Sequence, residues 1–156
     1  MSSQLHADQP PRFREMTEAD LPAIFDVRVR TWHNPNGARE LEAMGITPAS
    51  VTDLMKTTHR GWVCEVAQQI VGFAMGNRQN GELWVVAVLP EHENQGLGRS
   101  LMDHTESWLF DAGWDEIWLT TDPDETYRAV GFYRRLGWSD WKIEDGDRFM
   151  RKPKPA

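Results

Sequence analysis

The stretch Val86-Ala87-Val88-Leu89-Pro90-Glu91-His92-Glu93-Asn94-Gln95-Gly96-Leu97-Gly98-Arg99-Ser100-Leu101 decides how this chain is read. The apolar run Val86 to Leu89 predicts a buried strand. Pro90 ends it, and a polar loop leads through Gly96-x-Gly98 into a helix. A strand, a glycine loop and a fresh helix N-terminus make an anion site. The first helical N–H groups have no partner within the helix, its dipole is positive there, and glycine lets a phosphate approach the backbone. Two phosphate-binding patterns fail on spacing. A dinucleotide loop needs a third small residue where this chain has Leu101, and a P-loop needs a Gly-Lys-Ser/Thr triplet that follows neither Gly96 nor Gly98. Taken alone, the two glycines fit an ordinary strand-to-helix turn equally well.

Composition narrows the class of partner. With 156 residues, 40% hydrophobic and 26% charged, the chain has the make-up of one soluble globular domain. A domain of this size buries about 70% of its unfolded surface. The net charge of −7 argues against nucleic acid, which needs a basic face, and suits cationic or amine-bearing substrates. Eight tryptophans supply core and, in part, aromatic pocket walls. The single cysteine, Cys64, lies in the apolar run Trp62-Val63-Cys64-Glu65-Val66 and reads as a small buried hydrophobe rather than a catalytic thiol. It has no internal disulfide partner. No apolar run approaches the roughly 18 residues of a membrane span, and the first dozen residues lack a signal-peptide core. The expectation is a cytoplasmic protein with no membrane partner and no metal.

Along the chain a single domain is expected over residues 12–152, with loose tails at 1–11 and 153–156, the second read from Lys152-Pro153-Lys154-Pro155. Phe13–Met16 reads as a strand. Thr17 caps a helix running to about Arg30, with Asp20 in the capping-box region and Pro22 in the first turn. Trp32 to Gly45 reads as irregular around the turn signal Asn34-Pro35-Asn36-Gly37. A short helix is expected over Pro48–Thr57. Hairpins then join Trp62–Val66 to Ile70–Met75, and Gly72–Gly76 to Leu83–Val88 through Asn80-Gly81. A helix closing at Gly113, a strand over Glu116–Thr121, a helix over Asp124–Leu136 and a last hairpin about Asp145-Gly146 complete the order β-α-α-β-β-β-α-β-α-β-β. Meander strands followed by strand–helix alternation indicate an α/β layer with a mixed sheet.

Three signals fall in fixed order: the strand ending Val88-x-Pro90, the helix start Gln95-Gly96-x-Gly98, and the helix Ala129-Val130-Gly131-Phe132-Tyr133-Arg134-Arg135-Leu136-Gly137-Trp138. Together they resemble the GNAT superfamily of N-acetyltransferases. The likeness runs from Phe13 to about Arg151 and is sharpest over residues 82–138. It implies a central mixed sheet splayed to hold coenzyme A, with helices on both faces. It also implies transfer of an acetyl group from acetyl-CoA, as cosubstrate, to a primary amine of a small molecule or peptide by direct attack. The N–H groups of Gln95, Gly96, Leu97, Gly98, Arg99 and Ser100 would cradle the pyrophosphate. Val86, Ala87 and Val88 would pair with the pantetheine amides as an added strand does, and the N–H of Val86 or Ala87 would polarise the thioester carbonyl. Thr126, Ala129, Phe132 and Tyr133 of the later helix complete the implied cofactor side. Tyr133, four residues after Ala129, matches the tyrosine that protonates the departing thiolate in the family. Three positions depart from the pattern. Glu93 and Asn94 stand where the family usually carries Arg or Gln and often Gly, and Thr126 stands in place of a common asparagine.

The acceptor side is less legible. The amine must lose a proton before attack. Glu82, at the start of the central strand, is the position-matched base, and it reads equally well as a solvated residue after the Asn80-Gly81 turn. His92 and Asp122 are weaker options; Asp122 would orient a cationic amine or cap the following helix. Trp32 and His33 fall in the loop after the first helix, where the family builds its acceptor pocket. Trp84 and Trp118 stand on the two strands expected to splay, as cleft wall or as core. A second function fits the same scaffold, a non-catalytic acyl-CoA-binding regulatory module, which Glu93 and Thr126 favour and Tyr133 disfavours. Monomer and homodimer are both compatible with the sequence.

Overall fold

Val71-Gly72-Phe73-Ala74-Met75-Gly76 sets small residues against large ones at alternate positions, and this alternation organises the centre of the molecule. The computed structural model describes residues 10–31, 37–125 and 128–156. Among them, seven strands form one mixed sheet: β1 (Arg12–Glu15), β2 (His59–Val66), β3 (Gln69–Asn77), β4 (Glu82–Val88), β5 (Glu116–Thr121), β6 (Ser139–Glu144) and β7 (Asp147–Pro153), in the spatial order β1-β2-β3-β4-β5-β7-β6. The helices are α1 (Leu21–Thr31), α2 (Gly37–Ala43), α3 (Pro48–Thr57), α4 (Leu97–Asp111) and α5 (Arg128–Arg135).

Side chains on a strand alternate between faces. On one face of β3, a Cβ at Gly72 would lie 3.2 Å from Leu101 Cδ1 and one at Gly76 would lie 3.0 Å from Thr105 Cγ2, so α4 rests directly on the strand backbone. Phe73 and Met75 point the other way and are buried with Leu21, Ile24 and Val27 of α1. Fully burying a side chain of this size contributes about 1.5–3 kcal/mol. Helices therefore cover both faces of the sheet centre, as expected. A second cluster joins Leu83, Met102, Leu109, Ile117, Leu119 and Met150 to Val130, Tyr133 and Trp138, and so holds α4, α5 and the C-terminal strands together.

Four local expectations change. The stretch read as irregular contains α2, because Ala38-Arg39-Glu40-Leu41-Glu42-Ala43 are strong helix formers and the turn signal before them does not reach that far. Among the described residues three α-helices, not two, therefore separate β1 from β2. The helix capped at Thr17 begins as a 3₁₀ turn over Glu18–Asp20, with the Thr17 N–H donating to Asp20 Oδ2 at 2.8 Å. The later helix is α5 alone, shorter than Asp124–Leu136. Asp122 Oδ1 accepts the Asp124 N–H at 2.9 Å and holds Pro123-Asp124 in a turn. The supposed C-terminal tail is tied down. Lys152 and Pro153 belong to β7, Lys152 Nζ reaches Glu106 Oε1 at 2.6 Å, and the Lys154 N–H donates to the Asp115 carbonyl at 2.8 Å.

Candidate active site

The parallel strands β4 and β5 are registered at one residue pair, Glu82 with Trp118, beside the Trp118 N–H donating to the Gly81 carbonyl at 3.2 Å. Beyond it β5 pairs with β7 through Thr121, while β4 continues beside β3 to Val88. The two strands part into a wedge. Within β4, Trp84 is an extra residue opposite the Met75/Gly76 step, a bulge that bends the strand just past the Glu82–Trp118 pair. The Leu89 N–H donates to the Val71 carbonyl on β3 at 2.8 Å. With period two, Leu89, Ala87 and Val85 give their backbone groups to β3, and Val86 and Val88 turn theirs toward the wedge. Of the two amides expected to polarise a carbonyl, Val86 is thus the one that faces the opening, and Ala87 is committed to the sheet.

The wedge leads to the N-terminus of α4. Gly96 is the residue before its first turn and adopts φ 79°, a left-handed conformation that a side chain disfavours. It offers no side chain to cap the helix, and the first turn contains no acidic residue. The helix start thus keeps its positive end open. Gly98 has a second reason to be glycine: a Cβ there would lie 3.2 Å from Phe132 Cζ on α5. Leu97 is buried in the core, and the Ser100 N–H is taken by the Gly96 carbonyl at 3.2 Å. Gln95 and Arg99 are exposed. The unfavourable Glu93 carboxylate is not left alone. Arg128, the first residue of α5, donates through Nη1 to Glu93 Oε2 at 2.5 Å and through Nη2 to Asn94 Oδ1 at 2.7 Å. Thr126 lies outside the described residues.

Tyr133 projects from α5 into the second core cluster and is 9% exposed. Its ring lies 5.4 Å from that of Phe132 and 6.4 Å from that of Trp138. Burial pushes its phenol up to about 12, opposed in part by the positive charge of Arg28 on α1. The phenol therefore stays protonated at neutral pH, the state required of an acid. Burial also lowers Arg28, to about 10, against the opposing influence of Tyr133. Ala129 packs against the same cluster.

On the α1 side of the sheet, register places His59, Asn77, Glu82 and Trp118 in one row across β2, β3, β4 and β5. Burial raises the Glu82 carboxyl above its usual range, opposed in part by a hydrogen bond with Asn80. His59 is buried, its ring meets that of Trp84 edge-on at 4.8 Å, and its Nδ1 shares a 2.6 Å hydrogen bond with Thr58 Oγ1. Burial lowers its pKa. Trp118 stacks on Phe149 at 5.8 Å and donates to the Asn80 carbonyl at 2.9 Å. Both tryptophans are half-buried walls on this side of the wedge. Asp122 is occupied as a turn former, and His92 sits in the 3₁₀ turn Pro90–His92. Trp32 and His33 lie outside the described residues. Cys64 is buried with its thiol pushed up to about 11, an unreactive state.

Three residues near the site escape a sequence reading. His59 needs the β2–β3 and β3–β4 registers to fall in one row with Glu82. Arg28 needs the packing of α1 to come near Tyr133. Arg128 needs the approach of α5 to the loop, since its partners lie 34 and 35 positions away. The one local hint is that Arg128 immediately precedes Ala129.

Comparison with known proteins agrees with this geometry. The acetyltransferase (GNAT) family matches residues 21–138. The mycothiol acetyltransferase of Actinosynnema mirum is 27% identical over 135 residues, covering 85% of this chain and 44% of that protein. That of Pseudarthrobacter chlorophenolicus is 42% identical over 64 residues, 41% of this chain and 20% of that protein. The chain thus spans less than half the length of these relatives. Among solved structures, the PaiA N-acetyltransferase of Thermoplasma acidophilum in complex with coenzyme A shares the fold at TM-score 0.82 and 14% identity, over 94% of this chain and 100% of that one. The ribosomal-protein-S18-alanine N-acetyltransferase of Escherichia coli does so at TM-score 0.72 and 20% identity, over 92% of this chain and 94% of that one. A family match over most of its length, on a sheet whose fourth and fifth strands part beside an open helix N-terminus, makes this chain a member of the acetyltransferase (GNAT) family.

Proposed function

We propose that this protein transfers the acetyl group of acetyl-CoA to a primary amine, with residues 12–152 as the transferase unit. The observation that carries the reading is the single Glu82–Trp118 pairing of β4 and β5. It leaves the backbone of Val86 and Val88 open to an extended ligand that leads to the uncapped start of α4. Those backbone groups suit the amides of a pantetheine arm, and the amides of Leu97, Gly98 and Arg99, ahead of the Ser100 N–H that Gly96 takes, suit its pyrophosphate. Acetyl-CoA supplies an activated thioester. The Val86 N–H is oriented to stabilise charge developing on the thioester oxygen.

Glu82 takes the proton of the incoming ammonium, a role suited to a carboxyl whose pKa burial has raised. Tyr133 gives a proton to the leaving sulfur, a role suited to a buried, neutral phenol. The nitrogen–acyl bond forms as the carbon–sulfur bond breaks, with no covalent enzyme intermediate. The Tyr133–Glu82 pair favours an enzyme over a non-catalytic acyl-CoA sensor. Trp84, Trp118 and His59 bound the acceptor side. Acceptors to screen are small amines, among them the mycothiol class named for its relatives, and a peptide beginning with alanine, named for the S18 enzyme. A cytoplasmic location, as monomer or homodimer, fits these substrates.

The test is thermal unfolding with acetyl-CoA, using NAD and ATP as controls. Ligand at 100 times its dissociation constant adds about 2.7 kcal/mol of stability, roughly 5–10 °C here. A shift with acetyl-CoA alone supports the assignment and opens the amine screen. No shift at millimolar ligand rejects it.

A further inference from the structure

We infer that Arg128 is a coenzyme phosphate ligand delivered from α5, standing in for the cation that Glu93 denies to the glycine loop. The inference rests on the acetyl-CoA reading above and adds to it a residue that no motif marks.

The loop itself is short of positive charge where a pyrophosphate would lie. Glu93 contributes a carboxylate, Asn94 is neutral, and Arg99 is exposed one turn further on. Arg128 reaches back across this gap from the first turn of α5. It binds Glu93 Oε2 and Asn94 Oδ1 together, at 2.5 Å and 2.7 Å. A guanidinium has five N–H donors in a planar fork, so among the described residues the two contacts leave three donors for a phosphate.

The geometry around the bridge is fixed on both sides. Asn94 adopts φ 64°, a left-handed conformation that asparagine tolerates better than most residues, and its amide oxygen accepts from Arg128. A few residues on, the close approach of Gly98 to Phe132 Cζ holds the start of α4 against α5. The cation is thus bound to the loop that leads into α4, and the start of α4 packs against the helix that carries Arg128.

Stability does not account for the bridge. Its partners are exposed, 66% for Arg128 and 40% for Glu93, and ion pairs of that exposure stabilise a fold little. A cation held by a carboxylate beside an anion site instead has its charge placed in advance. Neutralising Glu93 is part of the same role, because an unpaired carboxylate there would repel the ligand.

Binding of CoA, dephospho-CoA and S-acetylpantetheine to the full chain, measured by calorimetry for wild type, R128Q, R128K and R128E, tests the role. R128Q is expected to weaken CoA about tenfold, and R128K is expected to recover part of that loss. R128E is expected to bind worst, and adding E93R to it should regain affinity by restoring a cation from the loop side. The unfolding temperature of each ligand-free variant should stay near that of wild type, because the pair is exposed. A loss for R128Q that persists with dephospho-CoA assigns the pyrophosphate, and one confined to CoA assigns the 3′-phosphate; both support the inference. A loss under threefold, or one shared in full by S-acetylpantetheine, overturns it. If wild type itself fails to bind CoA, the acetyl-CoA reading fails instead.

Discussion

Glu82 on β4 and Trp118 on β5 are the one residue pair that joins these parallel strands among the described residues, and Glu82 is also the carboxyl whose pKa burial raises at the wedge. The pivot of the splay and the proposed base are the same residue. Trp118 holds its side of the pivot by stacking on Phe149 and by donating to the Asn80 carbonyl. The turn that begins β4 therefore positions the carboxyl and closes the apex of the wedge together.

Because the shift of Glu82 comes from burial of its charge, the residue opposes folding as it ionises. In the folded state it binds its proton more tightly than in the unfolded chain, so its contribution to stability is full at low pH and is lost as pH rises through the raised pKa. Glu82→Gln is expected to raise the unfolding temperature at neutral pH while activity collapses. The acid limb of the wild-type kcat/KM profile should lie above the ordinary glutamate value of about 4.3. An unchanged acid limb in the Gln variant, measured with the same amine, rules out Glu82 as the base.

Tyr133→Phe isolates the acid. The ring packing against Phe132 and Trp138 is kept, and only the hydroxyl is lost. Turnover should fall by about 10²–10⁴-fold with coenzyme affinity changed by less than about threefold. Single-turnover rates beside binding titrations separate the two quantities. Equal turnover in both proteins would remove Tyr133 from the chemistry.

Acid destabilises this fold through two groups that act in the same direction. His59 is held below its ordinary value by burial, so below about pH 6.5 the unfolded chain takes up a proton that the folded one resists. Asp20 is held below the carboxylate range by hydrogen bonds from Arg14, at 2.7 and 2.8 Å, and its contribution disappears as pH falls through that lowered value. Stability is expected to decline first below pH ~6.5 and again below ~3.9, and His59→Gln should flatten the first step alone. Asp20→Asn at neutral pH should cost about 1–2 kcal/mol, since Arg14 is partly solvated. Urea unfolding across pH reads both.

Lys152→Met tests the C-terminal strand. Glu106 is 7% exposed on α4, its two oxygens held by Lys152 Nζ at 2.6 Å and by the Trp138 Nε1–H at 3.1 Å. Removing the cation leaves a buried carboxylate short of its partner, a loss of about 3 kcal/mol. For a domain of this size that is roughly 6–12 °C in the unfolding temperature. A shift under about 2 °C by calorimetry would show that β7 is not anchored through this pair.

The order of strands and helices in the part that carries the site is legible from the residues alone, because each signal there is local. Apolar runs bounded by turn residues gave β2 to β5, Pro90 and Gly96 bounded the loop, and Gly113 and Gly137 closed their helices. A sequence reading missed α2, whose helix formers lie next to a strong turn signal, and it extended α5 across a turn that Asp122 holds. It also left Pro153 and Lys154 in a tail, since nothing near them in sequence reveals the contacts of Lys152 with Glu106 and of Lys154 with Asp115. Which way Val86 faces follows from the folded sheet, because it depends on the Leu89–Val71 hydrogen bond and the register behind it. Packing of the whole chain places His59 in the row with Glu82, Arg28 near Tyr133 and Arg128 on Glu93. Those relationships join residues 23 to 105 positions apart. They arise from how the helices pack on the sheet, and packing is a property of the whole chain rather than of any stretch of it.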